Sequence, residues 1–399
     1  FNNVLKFRAS WGRVGNDRLK DENGNDIRFP YLTTLGNVSS TWGTGLAENR
    51  TGSMNLKWEV STKTNFGIDA RFFDDKVDMT VDFFHTKTTD IFQRRANIPD
   101  EGGLSNVLPY ANIGSMKSWG MDGTLAYTHT FNKDMALTVR GNFTHAENEV
   151  IYWEQSGVNY PYQSNSGVPY KVQRGLIALG LFKDEDDIKS SPKQTFMDNY
   201  RPGDIKYKDV NGDGKLTEED YVFLGTDDPK ISFSFNGGLE WNGFDFSVVF
   251  QGVGMRSIWR TGSSNKSNDA WRIPVMKPHL NSPNFSIGNV WSPENPGAYY
   301  PTYTNVDQIN TYNYRCSSWS VENGNYLRLK NISLGYTFPA KWLEKTKFLT
   351  YARVYVTGAD LWETSKIRDG WDPEASRTVT SYGRYPFTRN VTFGLNLTF

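Results

Sequence analysis

The residues best suited to chemistry in this 399-residue chain lie in one acidic loop, DVNGDGKLTEED, at positions 209–220. Oxygen atoms recur there at alternate positions, an arrangement that lets a short loop wrap around a calcium ion. Gly214 stands at the sixth position, where the backbone has to turn sharply. The candidate ligands are Asp209, Asn211, Asp213, Lys215 through its backbone carbonyl, Thr217 and Asp220. The sequence therefore predicts a Ca²⁺ site whose role is to stiffen a loop.

Two features distinguish this loop from a paired calcium-sensing motif. Asp220 stands at the twelfth position, where a bidentate glutamate usually closes the site. The preceding segment, 202–207, favours an extended chain rather than a helix. The dipeptides Asn211-Gly212 and Asp213-Gly214 are also common in turns, so a turn that binds no metal stays open as the alternative.

No motif in the sequence marks a catalytic centre. The patterns HExxH, GxGxxG, GxSxG and the Walker loop are all absent, and no pair of carboxylates stands out, although a glycosidase pair stays open on residue type alone. His85, His129 and His145 continue apolar tracks at strand ends, which favours interfacial packing. The acidic run 184–187 is predicted as a solvated loop, with a second cation site as the alternative. We expect no enzyme activity.

Aromatic side chains are frequent in the long loops. Their faces suit sugar rings, peptides or protein partners, and packing of the loop residues against one another is an equally open interpretation. These residues are Tyr160, Tyr162, Trp259, Trp271, Trp291, Tyr299, Tyr300, Tyr303, Tyr312, Tyr314 and Trp319.

The elements that hold these loops are strands in which apolar and polar residues alternate. The last stretch, 386–399, is apolar on one face and polar on the other, and it ends on Phe399. A hairpin is predicted at 60–83 around a two-residue turn, Asp74-Asp75, and residues 17–50 are predicted as a long loop. Further hairpins are predicted at 121–143, 231–250 and 326–361. Short turns alternate with long loops such as 149–168 and 254–325, as they do in outer-membrane barrels.

Composition supports a membrane β-barrel and argues against several other classes. Lys+Arg and Asp+Glu both number 44, so the basic excess of a nucleic-acid binder is missing. Mean hydropathy is −0.60 and no apolar run reaches about 18 residues, which excludes a transmembrane helix. A single cysteine, Cys316, excludes a disulfide scaffold. A soluble β-sandwich also alternates, but its strands are usually about five or six residues long, and those predicted here are longer.

Phrases along the whole chain resemble SusC/RagA-like TonB-dependent outer-membrane transporters of the Bacteroidota. The phrases are LKFRASWGRVGN from residue 5, WEVSTKTNFGI from 58, TKTTDIF from 86, NIGSMKSWGMDG from 112, RPGDIKYKDVNGDGKLTEEDYVFLG from 201 and YLRLKNISLGYTFP from 326. The resemblance implies an all-β, antiparallel, up-and-down transmembrane barrel of 22 strands with an N-terminal plug and long extracellular loops. About eleven strands are predicted here, so residues 1–399 are expected to form the C-terminal half of one barrel domain. The plug and the earlier strands would lie outside this numbering.

The resemblance also implies a function and partners. It implies import of a large nutrient, an oligosaccharide or a peptide, across the outer membrane of a Gram-negative cell. The TonB–ExbB–ExbD complex would supply the energy, and a SusD-like lipoprotein would cover the extracellular mouth. A secreted, calcium-stabilised β protein that binds or cleaves polysaccharide is the alternative from another class. An outer-membrane adhesin without energised transport is a third.

Overall fold

The computed structural model describes residues 3–20, 25–41, 43–98, 107–196, 199–259, 284–302, 312–313, 315–368, 372–374 and 388–399. Ten long strands form one antiparallel sheet in which each strand pairs with the next long strand along the chain. They are β1 (Val4–Asn16), β2 (Glu59–Phe72), β3 (Val77–Arg94), β4 (Tyr110–Asn132), β5 (Met135–Tyr152), β6 (Ile231–Trp241), β7 (Phe244–Gly254), β8 (Tyr326–Thr337), β9 (Tyr351–Ser365) and β10 (Asn390–Thr398). This confirms the predicted up-and-down topology, and the described residues contribute ten strands to the sheet, where about eleven are predicted.

Shorter strands pair two by two outside the sheet. Four of the pairs are antiparallel: Thr34–Ser40 with Gly43–Arg50, Gln173–Gly175 with Val222–Gly225, Ala178–Leu181 with Ile205–Tyr207, and Ser257–Trp259 with Val321–Asn323. The fifth pair, Lys193–Gln194 with Lys215–Leu216, is parallel. Helical segments are short: α1 (Glu185–Lys189), α2 (Ala340–Leu343), and the 3₁₀ turns Pro161–Gln163, Glu218–Asp220, Asn284–Ser286 and Glu344–Thr346. In the described part of the chain no helix has the length and apolar character to span a membrane.

The β6–β7 turn is as the sequence predicts. Trp241 pairs with Phe244, so Asn242 and Gly243 alone make the connection. Their φ angles are 48° and 84°, and positive values at both central residues are what a type I′ hairpin turn requires.

Two predictions about the connections were wrong. Phe72 pairs with Val77, so the β2–β3 link has four residues, because Phe73 leaves the strand with a φ of 59°. The stretch 17–50 is not one irregular loop, since Thr34–Ser40 and Gly43–Arg50 form a hairpin. Almost every described side chain in this hairpin is exposed or half-buried, so it lacks the apolar alternation that reveals a buried strand.

The long strands carry an exposed apolar face, while the buried core of the chain lies elsewhere. Exposed apolar side chains of the sheet include Leu5, Phe7, Phe66, Phe83, Leu125, Phe233, Phe235, Leu334, Val354 and Phe393. The main buried apolar cluster consists of Leu176, Ile205, Tyr207, Leu216 and Tyr312, all from the loops between β5 and β6 and between β7 and β8. One face of the sheet is therefore apolar and exposed. The long loops pack around a separate buried core at one end of the sheet.

Candidate functional site

The long loops between β5 and β6 and between β7 and β8 are joined by reciprocal hydrogen bonds. The hydroxyl of Tyr207 donates to the carbonyl oxygen of Tyr312 at 3.0 Å, and the hydroxyl of Tyr312 donates to that of Ile205 at 2.8 Å. Both phenols are almost fully buried, and this burial raises the pKa of Tyr207 and of Tyr312. We call the packed residues of these two long loops, including the buried apolar cluster, the loop cluster. Its two halves are fixed to each other by contacts that water does not reach.

A buried carboxylate makes a second link within the loop cluster. Asp204 is fully buried and accepts hydrogen bonds from the backbone N–H of Arg201 at 2.9 Å and from the side-chain amide of Asn313 at 2.8 Å. The other end of the Asn313 amide accepts from the backbone N–H of Ile205 at 2.9 Å. Burial raises the pKa of Asp204 against the opposing effect of these bonds, because removing a carboxylate from water penalises its charged form.

The predicted calcium loop folds around its own carboxylates. Asp209 accepts from the backbone N–H groups of Gly212 at 2.6 Å and Gly214 at 2.8 Å. Asp220 is fully buried and accepts from those of Val210 at 2.7 Å and Thr217 at 2.9 Å. The loop is therefore curled so that its first and twelfth residues both face its interior.

The remaining candidate ligands lie in the same loop. Asn211 accepts from the N–H of Asp213 at 3.0 Å, and Asp213 accepts from that of Lys215 at 2.8 Å. Gly214 has a φ of 81°, the left-handed conformation that the sharp turn at the sixth position needs. Across the described residues, no three carboxylate, histidine or cysteine side chains lie together as a metal-binding group. The three carboxylates of the loop therefore do not form such a group, and a cation here would depend on amide, carbonyl and hydroxyl oxygens.

The acidic run at 184–187 has structural roles. Asp184 caps α1, with its carboxylate accepting from the N–H of Asp187 at 2.8 Å. Asp187 in turn binds the ammonium of Lys206 at 2.7 Å, which lowers the pKa of Asp187. Residues 184–186 are exposed, as the sequence predicted, but the run is the capped start of a short helix rather than a loop, and Asp187 ties it to a neighbouring strand.

Several loop aromatics pack against one another, as the self-packing interpretation expects. Tyr299 stacks on Trp319 with ring centroids 4.7 Å apart, and the guanidinium of Arg368 lies 3.7 Å from the Tyr299 centroid. Tyr160 and Tyr162 also stack, at 5.3 Å. Trp291, Tyr300 and Tyr312 are buried. Trp271, Tyr303 and Tyr314 lie outside the described residues.

The inner face of the sheet is polar and connected. Arg8 of β1 donates to Asp69 of β2 at 2.8 Å and to Asp82 of β3 at 2.7 Å, so one guanidinium links three strands. Asn142 of β5 links Thr124 of β4 to Ser234 of β6 through bonds of 2.9 and 3.0 Å. These side chains form a charged and hydroxyl-rich lining.

A buried arginine fastens another loop to the rim of this lining, and the sequence reasoning missed it. Arg328 of β8 is 1% exposed and is ion-paired with Glu363 of β9 and with Asp372 and Glu374 of the β9–β10 loop. The neighbouring Lys330 also binds Glu374, at 3.0 Å. The signal in the sequence was the alternation of two cations with leucines at 327–330, but the acidic partners of Arg328 lie 35 to 46 residues away in the chain.

Comparison with known proteins identifies the fold. A family model described as TonB dependent receptor-like, beta-barrel, matches residues 1–361. The chain belongs to this family. Its apolar outer face is therefore the lipid face of an outer-membrane β-barrel, and the polar inner face lines the lumen, as the sequence predicted. The assignment favours this barrel over the secreted β protein considered from sequence.

Relatives of this TonB-dependent receptor barrel are longer than the chain. TonB-dependent receptor P26 of Formosa agariphila is 27% identical over 99% of this chain, which spans 40% of that protein. TonB-dependent receptor SusC of Bacteroides thetaiotaomicron is 24% identical over 99% of the chain, which spans 37% of it. A chain in the solved structure of the RagAB peptide transporter has the same fold, with a TM-score of 0.68 and 22% identity over 99% of this chain and 41% of that one.

Proposed function

We propose that this chain is part of the wall and extracellular cap of an outer-membrane importer for a large nutrient, an oligosaccharide or a peptide. The family match over residues 1–361 carries the proposal. The solved relative RagAB is a peptide transporter, which supports uptake of a large nutrient, and SusC is a TonB-dependent receptor, which supports uptake energised through TonB. The transporter would be the whole protein, since the chain spans about two-fifths of its relatives.

The arrangement of polar groups supports a passage for polar cargo. Charged and amide side chains such as Arg8, Asp82 and Asn142 face the lumen, where they offer hydrogen bonds to hydroxyl or peptide groups. Above this lining, the loop cluster forms a rigid vestibule, and such preorganised surfaces bind with a smaller entropic cost. A SusD-like lipoprotein would dock on these loops, and the TonB–ExbB–ExbD complex would supply energy through a plug.

The test is nutrient uptake by cells that carry or lack the full-length protein. Deletion of its gene should abolish growth on one nutrient within a panel of defined oligosaccharides and oligopeptides, and a plasmid copy should restore it. Deletion of TonB should abolish the same growth. Growth that depends on the protein but persists without TonB would contradict energised import and favour the adhesin or a passive pore.

We also propose that the loop at 209–220 binds Ca²⁺ and that the ion stiffens the vestibule. Its support is the curled backbone, in which Asp209 and Asp220 accept from N–H groups inside the loop, and the presence of Asp213 on the turn between them. Calorimetric titration of the metal-free, full-length protein with CaCl₂ should show binding with a stoichiometry of about one. A titration without heat of binding, repeated at two temperatures, would refute the calcium site.

A further inference from the structure

The register of the first four strands aligns basic side chains in one row on the lipid face. Arg13 of β1 lies opposite Thr62 of β2, Thr62 opposite Lys87 of β3, and Lys87 opposite Lys117 of β4. These four residues point to the same side as the outward apolar residues. Each stands an even number of positions from the apolar residue on its own strand, which is Phe7, Phe66, Phe83 and Leu125 in turn. The row lies toward the strand ends that lead into the long loops, which is the extracellular side of the barrel.

An aromatic row lies directly below the basic row, on the membrane side. It consists of Trp11, Thr64, His85 and Trp119, which are also paired in this order across β1 to β4. Trp and Tyr side chains favour the membrane–water interface, and aromatic girdles mark that level in outer-membrane barrels. On the same strand as Trp119, Phe131 marks the other end of the outward face. The twelve steps from Trp119 to Phe131 span roughly 40 Å along the strand, or about 30 Å of height at the usual strand tilt, which suits the thickness of a membrane. The basic row therefore lies at the height of the outer-leaflet headgroups.

Two of the three cations in the row are available to a ligand. Lys117 is occupied by Glu149, 3.1 Å away, and lies over the ring of Trp119. Arg13 and Lys87 are both exposed, and neither is ion-paired in the described structure. On β1 to β3, the nine outward positions of this row and of the rows above and below it include no acidic residue.

We propose that Arg13, Thr62 and Lys87 bind a phosphate group of the anionic lipid in the outer leaflet. Arg13 and Lys87 lie on either side of β2, about 10 Å apart at two strand spacings, a distance that their long side chains can close. A guanidinium gives two parallel N–H donors to phosphate oxygens, an ammonium adds a point charge, and the Thr62 hydroxyl supplies a third donor between them. The aromatic row beneath packs against the sugar and upper acyl chains of the same lipid.

The site occurs on one side of the described sheet. At the same end of β8 and β9, the outward residues are Leu327, Leu329, Trp362 and Thr364, which carry no charge. Lipopolysaccharide would therefore bind on the β1–β3 side of the barrel wall and not on the β8–β9 side. The proposal rests on the outer-membrane placement and not on the nutrient that the protein transports, so the uptake assay and the lipid assay can fail independently.

The experiment measures binding of lipid A to the full-length protein in a zwitterionic detergent by native mass spectrometry. Bisphosphorylated lipid A should bind the unaltered protein. Arg13→Gln and Lys87→Gln should each weaken binding about 5-fold, and the double variant roughly 25-fold, as expected for loss of one and two surface charges. A heat-dependent gel shift confirms that each variant keeps its folded barrel.

The matched control removes two exposed lysines at the opposite end of the strands. Lys341→Gln with Lys345→Gln should leave lipid A binding within twofold of the unaltered protein. The proposal would be overturned if the Arg13 and Lys87 double variant bound lipid A as tightly as the unaltered protein. It would also be overturned if the control variant lost as much affinity as the double variant. Equal affinity of the unaltered protein for bisphosphorylated lipid A and for lipid A without its two phosphates would overturn it as well. Displacement of the lipid by millimolar inorganic phosphate would show that a soluble anion, and not a membrane lipid, is the ligand.

Discussion

Asp213 is the residue at which the calcium proposal can be tested with least damage to the loop. One of its carboxylate oxygens accepts from the N–H of Lys215, and within the described parts of the chain its side chain makes no other hydrogen bond. Asp213→Ala should weaken calcium binding about 10-fold or more, equivalent to about 1.4 kcal/mol, because it removes one anionic ligand. Calorimetry measures this affinity.

The control for that substitution is another acidic residue of the loop cluster. Asp186 has a side chain that is 93% exposed and, among the residues that the structure describes, pairs only with Lys189, at 3.2 Å. Asp186→Ala should leave the calcium affinity unchanged. An Asp213→Ala protein that binds calcium as tightly as the unaltered one would show that this residue is not a ligand.

Asp204 makes the stability of the loop cluster depend on pH. Its raised pKa means that the folded state holds a proton that the unfolded state has already released. The contribution of Asp204 is therefore most favourable below the ordinary aspartate pKa of about 4 and is lost as pH rises through the raised value. The loop cluster of the unaltered protein should lose protection as the pH rises above about 4.

Hydrogen exchange, corrected for intrinsic rates, measures this loss at the amides around Ile205 and Asn313. Asp204→Asn is the comparison, because the amide has the same shape and does not titrate. The part of the pH dependence that comes from Asp204 should be missing in this variant. Identical profiles for the two proteins would show that the carboxylate stays protonated, or stays charged, throughout the range.

The residue contacts that build the loop cluster were the part of the site that the sequence did not predict. Asn313 and Asp204 are 109 residues apart, and Tyr207 and Tyr312 are 105 apart. Periodicity reports the face of a residue within its own element and carries no information on partners at such separations. The loop proposed to bind calcium could be singled out from sequence because its candidate ligands fall within twelve consecutive residues.

At the scale of elements, the tight β6–β7 turn depends on Gly243. Its φ is 84°, and a β-carbon added there would meet the carbonyl oxygen of Thr337 at 2.7 Å. Gly243→Ala should lower the free energy of unfolding by about 1–3 kcal/mol, since the left-handed conformation costs a residue with a side chain and the neighbouring strand has to shift.

Urea unfolding of the full-length protein in detergent measures that loss. Gly141→Ala is the matched control, because Gly141 lies on β5 with open space around its β-carbon position and without a positive φ. It should change the free energy by less than about 0.5 kcal/mol. If the two alanine variants unfold at the same urea concentration, the turn conformation does not limit stability.

The strands themselves were well predicted, because one strong signal specifies them. Outward residues meet lipid and inward residues meet a polar lumen, so every second position is constrained along each strand. The errors occur where that constraint ends. Phe73 carries an apolar side chain beyond the last paired residue, and the hairpin Thr34–Ser40 with Gly43–Arg50 is a separate two-stranded sheet outside the ten-stranded one.

At the scale of the whole molecule, β1 and β10 are the two ends of the described sheet. Backbone N–H and C=O groups along both ends would need partners within a membrane, where water cannot satisfy them. Residues 1–399 refolded alone into detergent should therefore aggregate, whereas the full-length protein should give a protease-resistant monomer. Size-exclusion chromatography followed by trypsin digestion makes the comparison. A monodisperse, resistant monomer of the segment alone would show that it closes or caps its own edges.

The reciprocal Tyr207–Tyr312 pair has a consequence for how this protein can diverge. Outward positions on the barrel only have to stay apolar, so substitutions there can accumulate one at a time. Each tyrosine hydroxyl, in contrast, donates to a main-chain oxygen in the opposite half of the loop cluster. Loss of either phenol leaves a buried acceptor unsatisfied and a cavity beside the other ring. Among homologues, the two positions should therefore covary, and the loops between β5 and β6 and between β7 and β8 should be inherited together as one recombination block.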